Sequence, residues 1–309
     1  MVRHIGLLIA AVAATALSTV AFGADVDWRA VDEAMGRSGA MQPGDVHKYS
    51  IPRTDLKVTV DGVAVKPALA LGSWVAFKDD RKEGSGHAMA MGDLVLTETE
   101  IAPVMKSLVE SGLQVTAVHN HILRASPATL YMHIAGTGDP VKLAQAIRVA
   151  LAKSAMLQET PSPAEQALGL DTAALEAALG QKGKAAGGTY QFSIPRAETV
   201  QDMGMEIPPA MGTAIAINVQ SAGDGKAATT GDFVLTTEEV EPVVQALVAN
   251  GIEVTALHTH MLGEEPRLIF MHFWGVDDPA KLGSGLRAAL DKVNIARSQT
   301  SELPGAAKP

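Results

Sequence analysis

Apolar and polar positions along the chain fall into two nearly matching runs. In the first, Gln114 to His121 alternates, with Val115, Ala117, His119 and His121 at like positions, and a Pro-containing connection leads to an apolar run from Leu130 to Ala135. Period-two patterning on both sides of a turn predicts a β-hairpin. Ahead of it, Thr97-x-x-Glu100 opens an apolar spacing of helical period that stops at Gly112. This is a capping box, in which hydroxyl and carboxylate each take a free backbone N–H, so a helix starts there. Behind the hairpin, Asp139-Pro140 supplies an N-cap and a proline at the first helical position, and Val141 to Lys153 is amphipathic. Strand-like stretches around His47 to Ile51, Leu56 to Val60, Trp74 to Phe77 and Ala88 to Leu96 come first. The order of helix, several strands, helix, strand, strand, helix predicts an α+β unit with helices on one face of a mainly antiparallel sheet.

The second run repeats the first. Gly84 to His133 aligns with Gly223 to His272 without a gap, and 23 of those 50 positions are identical. Thr236-x-x-Glu239, Gly251 and Asp278-Pro279 fall where their counterparts fall, and Ala280 to Val293 is again amphipathic. Upstream the register slips, so that Ser50-Ile51-Pro52-Arg53 answers Ser193-Ile194-Pro195-Arg196. Two tandem copies are therefore expected: residues 24–155 and 167–297, joined by a linker at 156–166 that contains Pro161 and Pro163, with a disordered tail at 298–309. Two like units are expected to form a pseudo-symmetric pair, and face-to-face packing is one way to do so.

Composition narrows the function. Residues 1–23 have the pattern of a cleavable signal peptide: Arg3 and His4, an apolar run from Ile5 to Val20, then Ala21-Phe22-Gly23. The expected location is periplasmic or secreted. No later stretch approaches the roughly 20 apolar residues a spanning helix needs, so no transmembrane segment is expected in the mature chain. The chain has no cysteine, which excludes disulfides, thiolate metal sites, a cysteine nucleophile and a lipidated cysteine. With 25 basic against 34 acidic residues and 4% aromatics, neither nucleic acid nor an anionic membrane is an expected partner. A metal ion or a small molecule remains, and the oligomeric state is open.

Six of the nine histidines repeat: His119, His121 and His133 in the first copy, His258, His260 and His272 in the second. On a strand, residues i and i+2 point to one side, so each His-x-His puts two imidazoles together. An adjacent strand brings the third to the same face if odd positions pair with odd. Three imidazoles with an open position suit zinc or copper. The bland alternative is a set of histidines hydrogen-bonded to backbone inside an inherited sheet. Only the second copy has carboxylates between its histidines, at Glu264 and Glu265, where the first has Ala125 and Ser126. These two are the candidate general base or extra ligand, and a solvated turn is their bland reading. His87-x-Met89-x-Met91 has the look of a soft copper site and equally of core filler. Glu100, Glu239, Gly92-Asp93 and Gly231-Asp232 have adequate structural explanations in caps and turns. Gly-rich phosphate loops, nucleophile elbows and H-E-x-x-H helices are absent from the sequence.

The stretch T-A-L-H-x-H-M-L-x-E-x-P-R-L-x-F-M-H, running from Thr255 to His272, together with the signal pattern and the duplication, resembles the LppY/LpqO family of exported bacterial proteins, whose function is unknown. The resemblance covers most of the mature chain and is looser in the first copy at Arg124-Ala125-Ser126. It implies export and duplication but no activity. Some members are regarded as lipoproteins, and this chain departs from them in having no cysteine to lipidate. Three readings follow: an exported metal-binding protein, a metal-dependent hydrolase, and a small-molecule or partner-binding module whose histidines line a cleft between the copies without metal.

Overall fold

The computed structural model describes residues 26–80, 86–157 and 167–296. The signal pattern at 1–23, the linker from residue 158 onward and the tail at 298–309 lie outside the described residues. The first repeat runs α1 (Trp28–Met35), β1 (Ala40–Gln42), β2 (Val46–Pro52), β3 (Thr59–Val60), β4 (Val63–Ala64), α2 (Pro67–Ala70), β5 (Gly72–Asp79), β6 (Ala88–Thr97), α3 (Glu98–Glu110), β7 (Gln114–His119), β8 (Thr129–Gly138) and α4 (Pro140–Leu151). The second runs α5 (Thr172–Leu179), β9 (Lys184–Ala186), β10 (Thr189–Pro195), β11 (Val200–Asp202), β12 (Met205–Ile207), β13 (Ala214–Gly223), β14 (Lys226–Leu235), α6 (Thr237–Ala249), β15 (Glu253–His258), β16 (Ile269–Asp277) and α7 (Pro279–Leu290). Each repeat forms a six-stranded antiparallel sheet, in the orders β1-β2-β5-β6-β8-β7 and β9-β10-β13-β14-β16-β15, with helices on one side. This is the expected α+β class.

The punctuation read in the sequence sets the local structure. Both capping boxes form, with Thr97 N–H donating to Glu100 Oε2 at 2.8 Å and Thr236 N–H to Glu239 Oε2 at 2.8 Å. The same two glutamates pair with buried guanidinium groups, Arg53 at 2.8 Å and Arg196 at 2.6 Å, tying β2 and β10 to the helices. Two expectations change. Leu56 to Val60 does not join the sheet: only Thr59–Val60 is extended, and it doubles back at Asp61 and Gly62, both at positive φ, to pair with Val63–Ala64. The first unit also runs past residue 155, because Ala155–Leu157 forms a 3-10 turn whose Met156 is buried in the first core.

Alternation along the strands assigns the two faces. Even-numbered Ala90, Leu94 and Leu96 of β6 pack under the helices with Val75 and Phe77 of β5. Odd-numbered Met89 and Met91 pack instead into a cluster with Val219, Ala227 and other residues of the second repeat. The repeats thus stack sheet to sheet, with helices outermost. Burial of Met89 and Met91 in that interface, and the exposure of His87 just before β6, place this motif in the packing between repeats and give the copper-site reading no support.

A candidate metal centre between the repeats

The hairpin register carries a bulge that the alternation did not reveal. Val115 pairs with Ile134, but Ala117 pairs with His133, so Thr116 is the extra residue and the parity of the strand inverts across it. Val115 therefore faces the helices, packed against the first core, whereas Ala117 and His119 face the other repeat alongside His133. The second repeat does the same between Val254 and Ala256. The bulged residues become cross-links: Thr116 Oγ1 donates to the carbonyl of His260 at 2.6 Å, and Thr255 Oγ1 donates to the carbonyl of His121 at 2.5 Å. That reciprocity is the mark of a two-fold interface.

β7 and β15 end at His119 and His258, so His121 and His260 lie in the following loops rather than at i+2 on a strand. The predicted same-strand pair is corrected to a strand-end histidine followed by a loop histidine. The loop bends the second imidazole into the interface, where His121 stacks between Tyr131 and His272 at 3.3 and 3.7 Å, and His260 between Phe270 and His133 at 3.4 and 3.7 Å. His119 stacks on His258 at 3.4 Å. All six repeated histidines meet in one cluster.

The groups whose ligating atoms lie within 4.8 Å of one another are His119, His133, His258 and His260; His119, His121 and His272; Asp93, His121 and His133; and Asp232, His260 and His272. No group holds all three histidines of one repeat: every group either mixes repeats or includes an aspartate. Glu264 and Glu265 belong to none. Glu264 is buried with its carboxylate accepting from Leu268 N–H at 3.0 Å and from Arg267 Nη1 at 3.2 Å, which anchors its own loop, and Glu265 is exposed. The role proposed for them as general base or ligand is therefore withdrawn: their loop turns one inward to itself and the other to solvent. The carboxylates at the cluster are Asp93 and Asp232, directly across the ladder from His133 and His272. Asp93 lies 3.8 Å from His121 and 3.9 Å from His133, and Asp232 lies 3.6 Å from His260 and 3.8 Å from His272.

Backbone carbonyls orient the imidazoles. His119 Nδ1 lies 3.1 Å from the carbonyl of Asn120, His258 Nδ1 3.2 Å from that of Thr259, and His272 Nδ1 2.9 Å from that of Gly231. With N–H donated there, Nε2 is left as a lone pair on each ring. His258 Nε2 and His272 Nε2 nevertheless stand 2.8 Å apart, as do His119 Nε2 and His133 Nε2. For His258 and His272, whose Nδ1 atoms both face carbonyls, two lone pairs at that distance repel unless a cation or a proton lies between them, whereas His133 can donate its Nε2–H to His119. Four further atoms, Asp93 Oδ1, His121 Nε2, Asp232 Oδ1 and His260 Nε2, are buried with no hydrogen-bond partner.

Burial governs the charge states. It lowers His119 to about 4 and His258 to about 3, and pushes His121, His133, His260 and His272 well below the usual imidazole range, in each case chiefly by desolvation. The rings are neutral near pH 7, which is the metal-ligating form. Burial raises Asp93 to about 8, partly offset by Lys48, and Asp232 well above the usual carboxylate range.

A cavity of about 350 Å³ opens onto the cluster, lined by His121, His260, His272, Asp93 and Asp232 together with Lys48 and Trp74. The Lys48 ammonium donates to the carbonyl of Ala210 at 2.7 Å and lies 4.2 Å over the Trp74 ring, and burial lowers it to about 8. The reading of the sequence missed Asp93, Asp232, Lys48 and Trp74. A signal for the first two was present: each is a carboxylate inside a long, largely apolar strand, AMAMGDLVLT and KAATTGDFVL, where an unpaired charge is costly. Lys48 and Trp74 carried none.

The molecule is thus a two-repeat α+β protein with a histidine and aspartate cluster in its internal interface. Residues 29–153 and 173–292 each match the family described as Domain of Unknown Function (DUF1259), and the chain belongs to that family. No curated protein matches it. Among solved structures it is similar to the trimeric bacterial microcompartment shell protein PduB, at 16% identity over 84% of this chain and 96% of that one, with a TM-score of 0.23. The double-ringed trimeric shell protein MSM0271 from the RMM microcompartment matches at 11% identity over 68% and 84%, TM-score 0.19. EtuB from Clostridium kluyveri matches at 10% over 82% and 90%, TM-score 0.18. Scores this low carry neither fold nor function from those proteins to this one. No described helix is long and apolar enough to cross a membrane.

Proposed function

We propose that this is an exported metal-binding protein whose centre is assembled from both repeats: His119, His121 and His133 with His258, His260 and His272, and Asp93 and Asp232 as its carboxylates. The observation that carries the reading is the buried, unpartnered quartet of Asp93 Oδ1, His121 Nε2, Asp232 Oδ1 and His260 Nε2. Bound metal satisfies these atoms, and ionises the two carboxyl groups that burial otherwise holds protonated. A donor set of neutral imidazole and carboxylate without thiolate suits zinc or copper(II). The export pattern at 1–23 and the LppY/LpqO resemblance belong to this proposal, which would put the protein outside the cytoplasm. The test is metal analysis of untagged protein together with melting before and after chelation. Bound zinc or copper is expected, with a lower melting temperature after chelation that either ion restores. No bound metal and no change on adding either ion would overturn it.

A second reading rests on the cavity. Space for a small molecule beside the cluster favours a centre that acts on a ligand over one that only stores an ion. Lys48, which has no carboxylate within ion-pair distance in the described residues, supports a ligand with an anionic group. In a hydrolase Asp93 or Asp232 replaces the glutamates as proton carrier. Ester, amide and phosphoester substrates, with and without a carboxylate, are screened on wild type, Asp93→Asn and Lys48→Gln. Metal-dependent turnover that Asp93→Asn abolishes is expected, with Lys48→Gln slowing only the anionic members. Equal rates in all three proteins would end this reading.

A further inference from the structure

The number and symmetry of the donors go beyond a metal centre to its stoichiometry. Eight side chains converge, whereas one first-row ion accepts about four to six ligands. Some donors must be idle, or more than one ion is held.

The internal two-fold decides between these. Exchanging the repeats relates His119 to His258, His121 to His260, His133 to His272 and Asp93 to Asp232. The exchange turns Asp93, His121 and His133 into Asp232, His260 and His272, which is the other aspartate group. It turns His119, His133, His258 and His260 into His258, His272, His119 and His121, which contains the remaining group of His119, His121 and His272. No group maps onto itself. A single ion on the axis draws its ligands in equivalent pairs, and an off-axis position always has a mate. The unpartnered atoms follow the same rule, one carboxylate oxygen and one imidazole nitrogen on each side, Asp93 with His121 and Asp232 with His260. His119 belongs to both mixed groups, and His258, stacked on it at 3.4 Å, belongs to one of them.

We infer that the centre holds two ions, one bound by Asp93, His121 and His133 and the other by Asp232, His260 and His272. This rests on the metal-binding reading above. The chemical class is a pair of first-row divalent ions with nitrogen and oxygen ligands, zinc or copper(II) among them. Each two-histidine, one-carboxylate group leaves coordination positions open. Of these residues, Asp93, Asp232, His121, His260 and His272 line the cavity. Two neighbouring ions facing one pocket can hold the attacking and leaving oxygens of a single substrate, the arrangement found in two-metal hydrolases.

The experiment is native mass spectrometry and elemental analysis of the full chain after chelation and reloading with zinc, and separately with copper(II). Two ions per chain are expected, and the copper-loaded protein should show the magnetic coupling of a copper pair in its electron paramagnetic resonance spectrum. Asp93→Asn and Asp232→Asn should each retain one tightly held ion and weaken the other at least tenfold, with circular dichroism confirming the fold. The wild-type stoichiometry decides the matter even if a variant fails to fold. One ion per chain, with an uncoupled mononuclear copper signal, would overturn the pair and leave the shared centre standing. No ion would overturn both.

Discussion

At the cluster the two repeats carry the same residues, Asp93 and Asp232, His119 and His258, His121 and His260, His133 and His272. On the cavity walls they differ. Lys48 stands where the second repeat has Gln191, Trp74 where it has Ala216, and Tyr131 where it has Phe270. Gln191 spends its amide on the carbonyl of Ala68 at 2.7 Å, whereas Lys48 brings a cation and an indole to the same cavity. The difference separates two jobs. On the proposed reading the symmetric part would supply donors for a cation, and the asymmetric part, with Lys48, would give a ligand in the cavity a direction in which to lie.

Acid should test the symmetric part with the largest effect. In metal-stripped protein the six histidines titrate lower in the folded state than in the unfolded chain. Below the ordinary imidazole value of 6.5 the unfolded chain therefore binds more protons, and stability is lost as pH falls toward about 4 and 3, the folded values of His119 and His258. Asp93 and Asp232 act oppositely: both are raised in the folded state, so their contribution is lost as pH climbs above the ordinary carboxylate range, for Asp93 through about 8. Six groups outweigh two on the acid side, so the melting temperature should peak near pH 6.5, fall steeply below it and gently above it. Melting followed across pH 4 to 9 checks this, and a single transition is expected because the repeats share the cluster. Two separate transitions, or a flat profile, would break the idea of a common centre.

Next in size is a pair of glycines. A Cβ on Gly231 would meet the carbonyl oxygen of Ala216 at 1.9 Å, and one on Gly92 would meet that of Trp74 at 2.9 Å. Gly231→Ala must part β13 from β14 and move the carbonyl that orients His272. It should cost about 3 kcal/mol in urea unfolding, against about 1 for Gly92→Ala. Equal costs would show that the strand spacing does not differ as described.

Smaller effects probe the walls. Tyr131 donates its hydroxyl to the carbonyl of Ala70 at 2.5 Å, and Phe270 is fully buried against His260. Tyr131→Phe should cost about 1 kcal/mol, and Phe270→Tyr, which buries a hydroxyl without a partner, about 2 kcal/mol. Lys48→Gln should change stability least, within about 0.5 kcal/mol, because release of a half-buried ammonium offsets the lost hydrogen bond to Ala210. A large loss there would mean that Lys48 serves the fold rather than the cavity.

Much of the fold was legible because it rests on short-range rules. The capping boxes at Thr97 and Thr236, the stops at Gly112 and Gly251 and the Asp-Pro starts at 139 and 278 all act within a few residues and appear where expected. The histidines were legible as candidates because the duplication set them apart from the other three. Their partners were not. The bulge at Thr116 leaves no trace in an alternation of apolar residues, yet it inverts the strand's parity. Glu264 and Glu265 were near the histidines in sequence and were the wrong carboxylates. Asp93 lies 28 residues before His121 and becomes its neighbour only because β6 pairs with β8.

The sequence by itself determined the duplication, the class of each unit and the donor chemistry, since repetition, period and residue type are properties of the chain. Only the tertiary structure decided that the two sites are one. Ligation depends on distances of a few ångströms, and those are set by sheet-to-sheet packing across the internal two-fold, where residues 139 positions apart stack ring on ring.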